Sequence, residues 1–225
     1  MKKIIIKSIK YLFISIIGLH LLLFLWVFII GVLLTSIDPP FHSFMIYRKV
    51  INGFELKPKK HIKLKKLPWY VKYMLIKLED CNFNTHNGID IEAMKHAAKL
   101  NKLNGRKGHG GSTITQQLAR TVFLIPDKFI VRKYFEILIS LELEAILTKD
   151  RILELYLNNV EWGKGIFGIE TASYHYYRKS SAYLTRDQAA RLLTILSSPI
   201  RYTPYNFGVR RVLNIRYNSM SEFNR

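Results

Sequence analysis

The chain has 225 residues, with 35 Lys+Arg against 16 Asp+Glu, a formal net charge of +19, 49% hydrophobic residues and one cysteine. That length suits one domain with an attachment, and the apolar content is too high for a disordered polyelectrolyte. A single cysteine excludes an intrachain disulfide framework and a thiolate zinc cluster, while the charge calls for an anionic partner: nucleic acid, a membrane surface or a phosphorylated substrate.

Residues 1–10 carry Lys2, Lys3, Lys7 and Lys10, and residues 11–37 then follow without a charged side chain. As a helix this run would rise about 40 Å, enough to cross a roughly 30 Å hydrocarbon core with tilt. Its apolar stretch is longer than the roughly 7–15 residues of a secretory signal, and Thr35-Ser36-Ile37-Asp38 makes a poor cleavage site. It reads as a retained transmembrane helix; the competing reading is a buried helix of a globular core. After it the first basic residue is Arg48, so the charge asymmetry puts the N-terminus in the cytoplasm and the following 188 residues outside it. Residues 38–66 read as a basic juxtamembrane linker. Its cluster of Lys57, Lys59, Lys60, Lys63, Lys65 and Lys66 is either solvated or in contact with anionic lipid headgroups.

Residues 67–225 read as one mainly α domain. Val71, Met74, Leu75 and Leu78 recur at helical spacing up to Glu79-Asp80. Asp90 caps a helix through Leu103, which Gly105 terminates, and Ser112 caps another from Thr113 to about Phe123. Pro126-Asp127 opens a long helix to Leu147, with Asp127 at the cap. Thr148 or Asp150 caps the next, through Leu157. Thr185-Arg186-Asp187-Gln188 has the form of a capping box for a helix ending at Leu196.

Three places break the expected pattern. Glu79-Asp80 ends a helix where the dipole favours cations, which marks either a candidate general base or an ordinary exposed acidic pair. Gly108-His109-Gly110-Gly111 runs into Ser112, Thr113, Thr115, Gln116 and Gln117. A glycine-rich loop entering a helix offers free N–H groups to an anion, although no Lys-Ser or Lys-Thr follows as in a P-loop, and a plain flexible loop is the alternative. Lys128, Arg132 and Glu136 share a helix face, with Lys133 about 100° round and Arg120 one helix earlier. They form either a surface salt-bridge ladder or a cationic pyrophosphate site with a carboxylate beside it.

Taken together these segments resemble the peptidoglycan glycosyltransferases of family 51. Glu79-Asp80 with Phe83, His86, Gly88 and Asp90 is similar to the first family motif, and Gly110-Gly111-Ser112-Thr113-Ile114-Thr115-Gln116-Gln117 to the second. Arg132-Lys133 and Glu136 are similar to the third. Lys149, Ile152-Leu153-Glu154 and Tyr156-Leu157-Asn158 match the fourth, and Gly165-Ile166-Phe167-Gly168-Ile169-Glu170 the fifth. The match covers residues 67–205. No penicillin-binding transpeptidase domain fits the remaining length, and Glu161-Trp162-Gly163 looks like the monofunctional branch.

The resemblance implies a lysozyme-like α fold with a small membrane-contacting lobe. It implies transfer of a growing glycan from undecaprenyl pyrophosphate to the 4-hydroxyl of lipid II, with inversion and a β-1,4 link. It casts Glu79 as general base and Glu136 as a second carboxylate that orients cations or helps bind a divalent ion. Arg120, Lys128, Arg132 and Lys133 would hold the pyrophosphate. Ser112, Thr113, Gln116 and Gln117 would line the donor site, Phe83 and His86 would shape the acidic loop, and Glu154 and Asn158 look structural. Some relatives have lysine at Arg120 and arginine at Lys128, which keeps the charge but changes the hydrogen-bond geometry. No cofactor is essential, and magnesium at the pyrophosphate is compatible. Expected partners are lipid II, undecaprenyl-pyrophosphate-linked glycan, the bilayer of the bacterial inner membrane and proteins of a wall-building complex. Nucleic acid drops out, because stacking aromatics are not interleaved with the cations and the topology removes the domain from the nucleoid. The rivals are a lytic enzyme on the same kind of fold, with Glu79 as acid, and a membrane-tethered binder of polyanions.

Overall fold

The computed structural model describes residues 2–103, 105, 110–126 and 130–221. Among them are ten α-helices and a single two-stranded sheet, so the mainly α expectation holds.

The first helix, α1 (Lys2–Leu34), is longer at its start than the uncharged run, because nothing among its first residues breaks a helix. Its stretch Ile6–Leu34 is long and apolar enough to cross a membrane. Leu12, Phe13, Leu21 and Leu22 are exposed, a surface that suits hydrocarbon and not the interior of a soluble core. Its second half, by contrast, lies along the body. Val27 and Leu34 are buried, the Trp26 and Phe123 rings meet edge-on at 5.3 Å, and Gly31 admits Ile146 so closely that a Cβ would stand 2.8 Å from its Cδ1.

Residues 38–66 are laced to the body. Helix α2 (Ser43–Val50) follows His42, whose Nδ1 donates to the Thr121 carbonyl at 3.0 Å; burial pushes this imidazole down to about 3, so it stays neutral. Lys59 pairs with Asp38 at 3.0 Å and donates to Asn159 Oδ1 at 2.6 Å, and Lys60 lies over the Tyr174 ring. Ile62 exchanges backbone hydrogen bonds with the Asn158 amide, and Leu64 N–H donates to Glu154 at 2.6 Å. Asn158 and Glu154 thus anchor this strap. Lys57, Lys63, Lys65 and Lys66 stay exposed.

The body is built around α7 (Lys149–Asn159), buried at every position from Ile152 to Asn159. Around it stand α3 (Trp69–Glu79), α4 (Ile91–Leu103), α5 (Ile114–Phe123), α6 (Ile130–Ile146), α8 (Ile169–Tyr177), α9 (Arg186–Ile195) and α10 (Arg211–Ser221). Strands β1 (Glu161–Gly163) and β2 (Ile166–Phe167) form an antiparallel hairpin between α7 and α8. Three caps can be compared with expectation. Thr148 caps α7 rather than Asp150, and Thr185 with Gln188 forms the expected box. At α5 the cap is Thr113, one residue later than Ser112, because a capping box needs Glu or Gln three residues on and only Thr113 has one, in Gln116. The expected cap of α6, Asp127, lies outside the described residues.

The outer face of α6 meets α1 across a cavity of about 740 Å³ lined by His20, Phe24, Phe28, Leu138, Glu142 and Ala145. Glu142 Oε1 is buried there without a partner among the described residues, and burial pushes the carboxyl up to about 7. The folded state therefore holds this proton more tightly than the unfolded chain, and stability falls as pH rises from the ordinary carboxylate range through 7. Glu142→Gln is expected to raise stability at pH 8 by about 1 kcal/mol once partial exposure is discounted, seen as a higher thermal midpoint, and to leave the midpoint unchanged at pH 4. Equal shifts at both pH values in a thermal scan would contradict this.

Candidate active site

Glu79 and Asp80 are adjacent in sequence but face different tasks. Asp80, just past the end of α3, turns inward: its Oδ2 accepts the Ile114 N–H at 2.9 Å and His86 Nε2 at 2.9 Å. Burial pushes its carboxyl up from the ordinary value, against these two donors, which favour the charge. His86 Nδ1 accepts from Gly88 N–H at 3.1 Å, so the ring's proton sits on Nε2 and points to Asp80. Gly88 is held at φ +86°, and a Cβ there would meet the Ser140 carbonyl at 2.8 Å. Phe83 is buried, edge-on to His86 and beneath the Lys149 ammonium, 4.6 Å from its centroid. This acidic loop is therefore rigidly clasped.

Glu79, half-buried at the last turn of α3, faces the opposite way. Its Oε2 accepts from Gln117 Nε2 at 3.1 Å, and its Oε1 accepts from Arg216 on α10. Gln117 is itself oriented by Tyr156, whose hydroxyl donates to Oε1 at 3.0 Å. Complete burial drives that phenol well above its ordinary value, so it remains a neutral donor. Glu79 borders a cavity of about 150 Å³ shared with Asp80, Cys81, Gly111 and Ser112. Gly111 makes room for α4: a Cβ would lie 2.8 Å from Met94 Cα.

Gln117 itself lines a second cavity, of about 350 Å³, together with Arg120, Arg132, Arg48, Arg201 and Ser198 among others. Arg120 Nε is buried with no partner among the described residues. Arg132 donates to Glu136, which is 1% exposed, and Lys133 reaches the other oxygen of that carboxylate at 2.6 Å. Lys133 also donates to Ser112 Oγ at 2.9 Å and Gln116 Oε1 at 3.3 Å. Its three protons are thus used within the protein, binding α6 to the start of α5.

The structure thus brings Glu79, Gln117, Arg120 and Arg132 around two neighbouring cavities. Ser112, Gln116, Lys133 and Glu136 form a polar seam behind them, and Thr113 bonds to Gly88 O at 2.6 Å to tie the glycine loop to the acidic one. Lys128 lies outside the described residues. Three arginines were not singled out by the sequence reading: Arg48, held to Glu161 at 2.9 Å, Arg201 and Arg216. Arg201 stands in the Arg201-Tyr202-Thr203-Pro204-Tyr205 run at the end of the motif match, which was its one available signal.

The body is helical, an apolar helix precedes it, and it carries a carboxylate at one cavity and arginines at another. A sequence profile described as Transglycosylase matches residues 48–220. Over 206 residues the chain is 39% identical to the biosynthetic peptidoglycan transglycosylase of Aromatoleum aromaticum, covering 89% of this chain and 88% of that one. It is 39% identical over 205 residues to that of Dechloromonas aromatica, with the same coverage, and 44% identical over 170 residues to that of a Janthinobacterium strain, covering 73% of each. The chain belongs to the biosynthetic peptidoglycan transglycosylase family. It is a glycosyltransferase of peptidoglycan synthesis.

Proposed function

We propose that the enzyme extends peptidoglycan strands by moving the growing glycan from undecaprenyl pyrophosphate to the 4-hydroxyl of lipid II, inverting the anomeric carbon to give a β-1,4 link. The observation that carries this is the hydrogen bond from Gln117 to Glu79: the carboxylate borders the first cavity, and Gln117 lines the second together with Arg120 and Arg132. In the first cavity Glu79 takes the proton of the acceptor hydroxyl as its oxygen attacks the anomeric carbon. The bond from that carbon to the pyrophosphate oxygen breaks, the pyrophosphate leaves with the electron pair, and Arg120 and Arg132 neutralise it. A pyrophosphate needs no acid to depart. The common glycosidase pattern sets two carboxylates across the bond; here Asp80 is bound inward by Ile114 and His86, and Glu136 is occupied on both oxygens by Arg132 and Lys133.

For the same reason Glu136 does not fit the role of ligand to a resident metal, and no His, Cys, Asp and Glu cluster of metal-binding size occurs among the described residues. Magnesium at the pyrophosphate would take its oxygen ligands from phosphate and water. We place α1 in the bacterial inner membrane with the N-terminus cytoplasmic and the body outside, where lipid II and proteins of wall synthesis are met.

The test is to give the purified full chain lipid II. Glycan polymer is expected. Soluble muropeptides released from finished sacculi, with no polymer from lipid II, would establish the lytic reading instead.

A further inference from the structure

The inward face of α10 is formed by Leu213, Arg216, Tyr217 and Met220, at the i, i+3, i+4 and i+7 spacing of one helix stripe. Three of these fix the helix in place. Leu213 and Met220 are buried, and the Tyr217 hydroxyl donates to Asp187, which also pairs with Arg191 at 2.8 Å. The fourth is an arginine whose side chain is only 19% exposed. A cation in such a place is unfavourable unless it is paired. Its partner is Glu79 Oε1, 137 residues away in sequence, and its Nε is buried with no partner among the described residues.

We propose that Arg216 is a positioning residue for the general base: its guanidinium fixes the Glu79 carboxylate so that the free lone pairs face the cavity at Cys81 and Ser112. A carboxylate offers about four acceptor directions. Gln117 takes one on Oε2 and Arg216 one on Oε1, which locks the rotation of the carboxylate plane from both ends. A base aimed before the acceptor arrives loses nothing to reorientation in the transition state. The last helix is thereby part of the active site through one side chain. This inference rests on the assignment of Glu79 as base.

The experiment compares Glu79→Gln, Arg216→Met, Arg216→Lys and Leu213→Ala in the full chain, reading kcat and KM on lipid II and thermal midpoints. Arg216→Met is expected to lower kcat about 10–100-fold, the effect of misaligning a catalytic group, with KM within twofold. Arg216→Lys is expected to recover at least part of that loss. Leu213→Ala loosens α10 but keeps the guanidinium, so its thermal midpoint falls while kcat at a permissive temperature holds. Unchanged kcat in Arg216→Met, a lysine variant no better than methionine, or an equal kcat loss in Leu213→Ala would each overturn the proposal. Full activity in Glu79→Gln would remove the base assignment itself, whatever Arg216→Met does.

Discussion

Glu79→Gln is expected to reduce lipid II polymerisation about 10²–10⁴-fold, the span that a positioned general base contributes, and to lower the thermal midpoint as well, because Arg216 loses its counter-charge. The substitution is close to isosteric. Glutamine keeps an oxygen for one donor, but its new amide group donates and cannot meet the second, and the group that accepts the proton is gone. A Glu79→Asp variant keeps the charge opposite Arg216, so comparing the two separates the loss of the base from the loss of the ion pair. Polymer from fluorescent lipid II, resolved by chain length, measures the effect. A variant polymerising at the wild-type rate would transfer the role of base to another group.

Glu136→Ala is expected to impair the enzyme by a different route, lowering stability and activity together. The carboxylate is 1% exposed and accepts from both Arg132 and Lys133. Removing one partner of a buried ion pair typically costs about 3–5 kcal/mol, since the surviving charge has no compensation. Lys133 is 31% exposed and keeps Ser112 and Gln116, so the lower end of that range applies. At roughly 2–4 °C per kcal/mol for a body of this size, the thermal midpoint should fall by about 10 °C. Activity falls as well, because Arg132 loses the anchor that turns it toward the cavity. Glu136→Gln keeps the shape and should recover part of the stability. A stable Glu136→Ala enzyme with normal turnover would show that the cations are positioned from elsewhere.

The parts of this fold that are written locally could be read without coordinates. The helix from Trp69 to Glu79 follows from its apolar spacing, and the α9 start follows from a Thr-x-x-Gln box. The α5 cap slipped by one residue because Ser112 and Thr113 are both acceptable caps, and the decision falls to Gln116. The motif residues around Glu79 and Glu136 were legible because their chemistry depends on type and spacing. Arg216 was not. An arginine among polar residues in a tail carries no sign that its helix will roll it onto a carboxylate 137 positions earlier. Residues 38–66 were legible only in part: the lysine cluster reads as solvated or as meeting lipid headgroups, and neither reading tells that the backbone bonds to Asn158 and Glu154 or that Asp38 draws Lys59 inward. Backbone groups and side-chain amides across 90 or more positions made that contact, and neither leaves a pattern in one sequence.

The way α1 lies against α6 sets a distance as well as an attachment. His20 meets the Tyr134 hydroxyl at 3.1 Å and Gly31 meets Ile146, so two helices touch across at least eleven residues, about 16 Å of helix rise. A tether joined at one point would let the body swivel and bob. A tether that doubles as a wall works as a ruler: set in a bilayer, it holds the hydrogen-bonded Glu79 and Gln117 at one height and one tilt relative to the hydrocarbon.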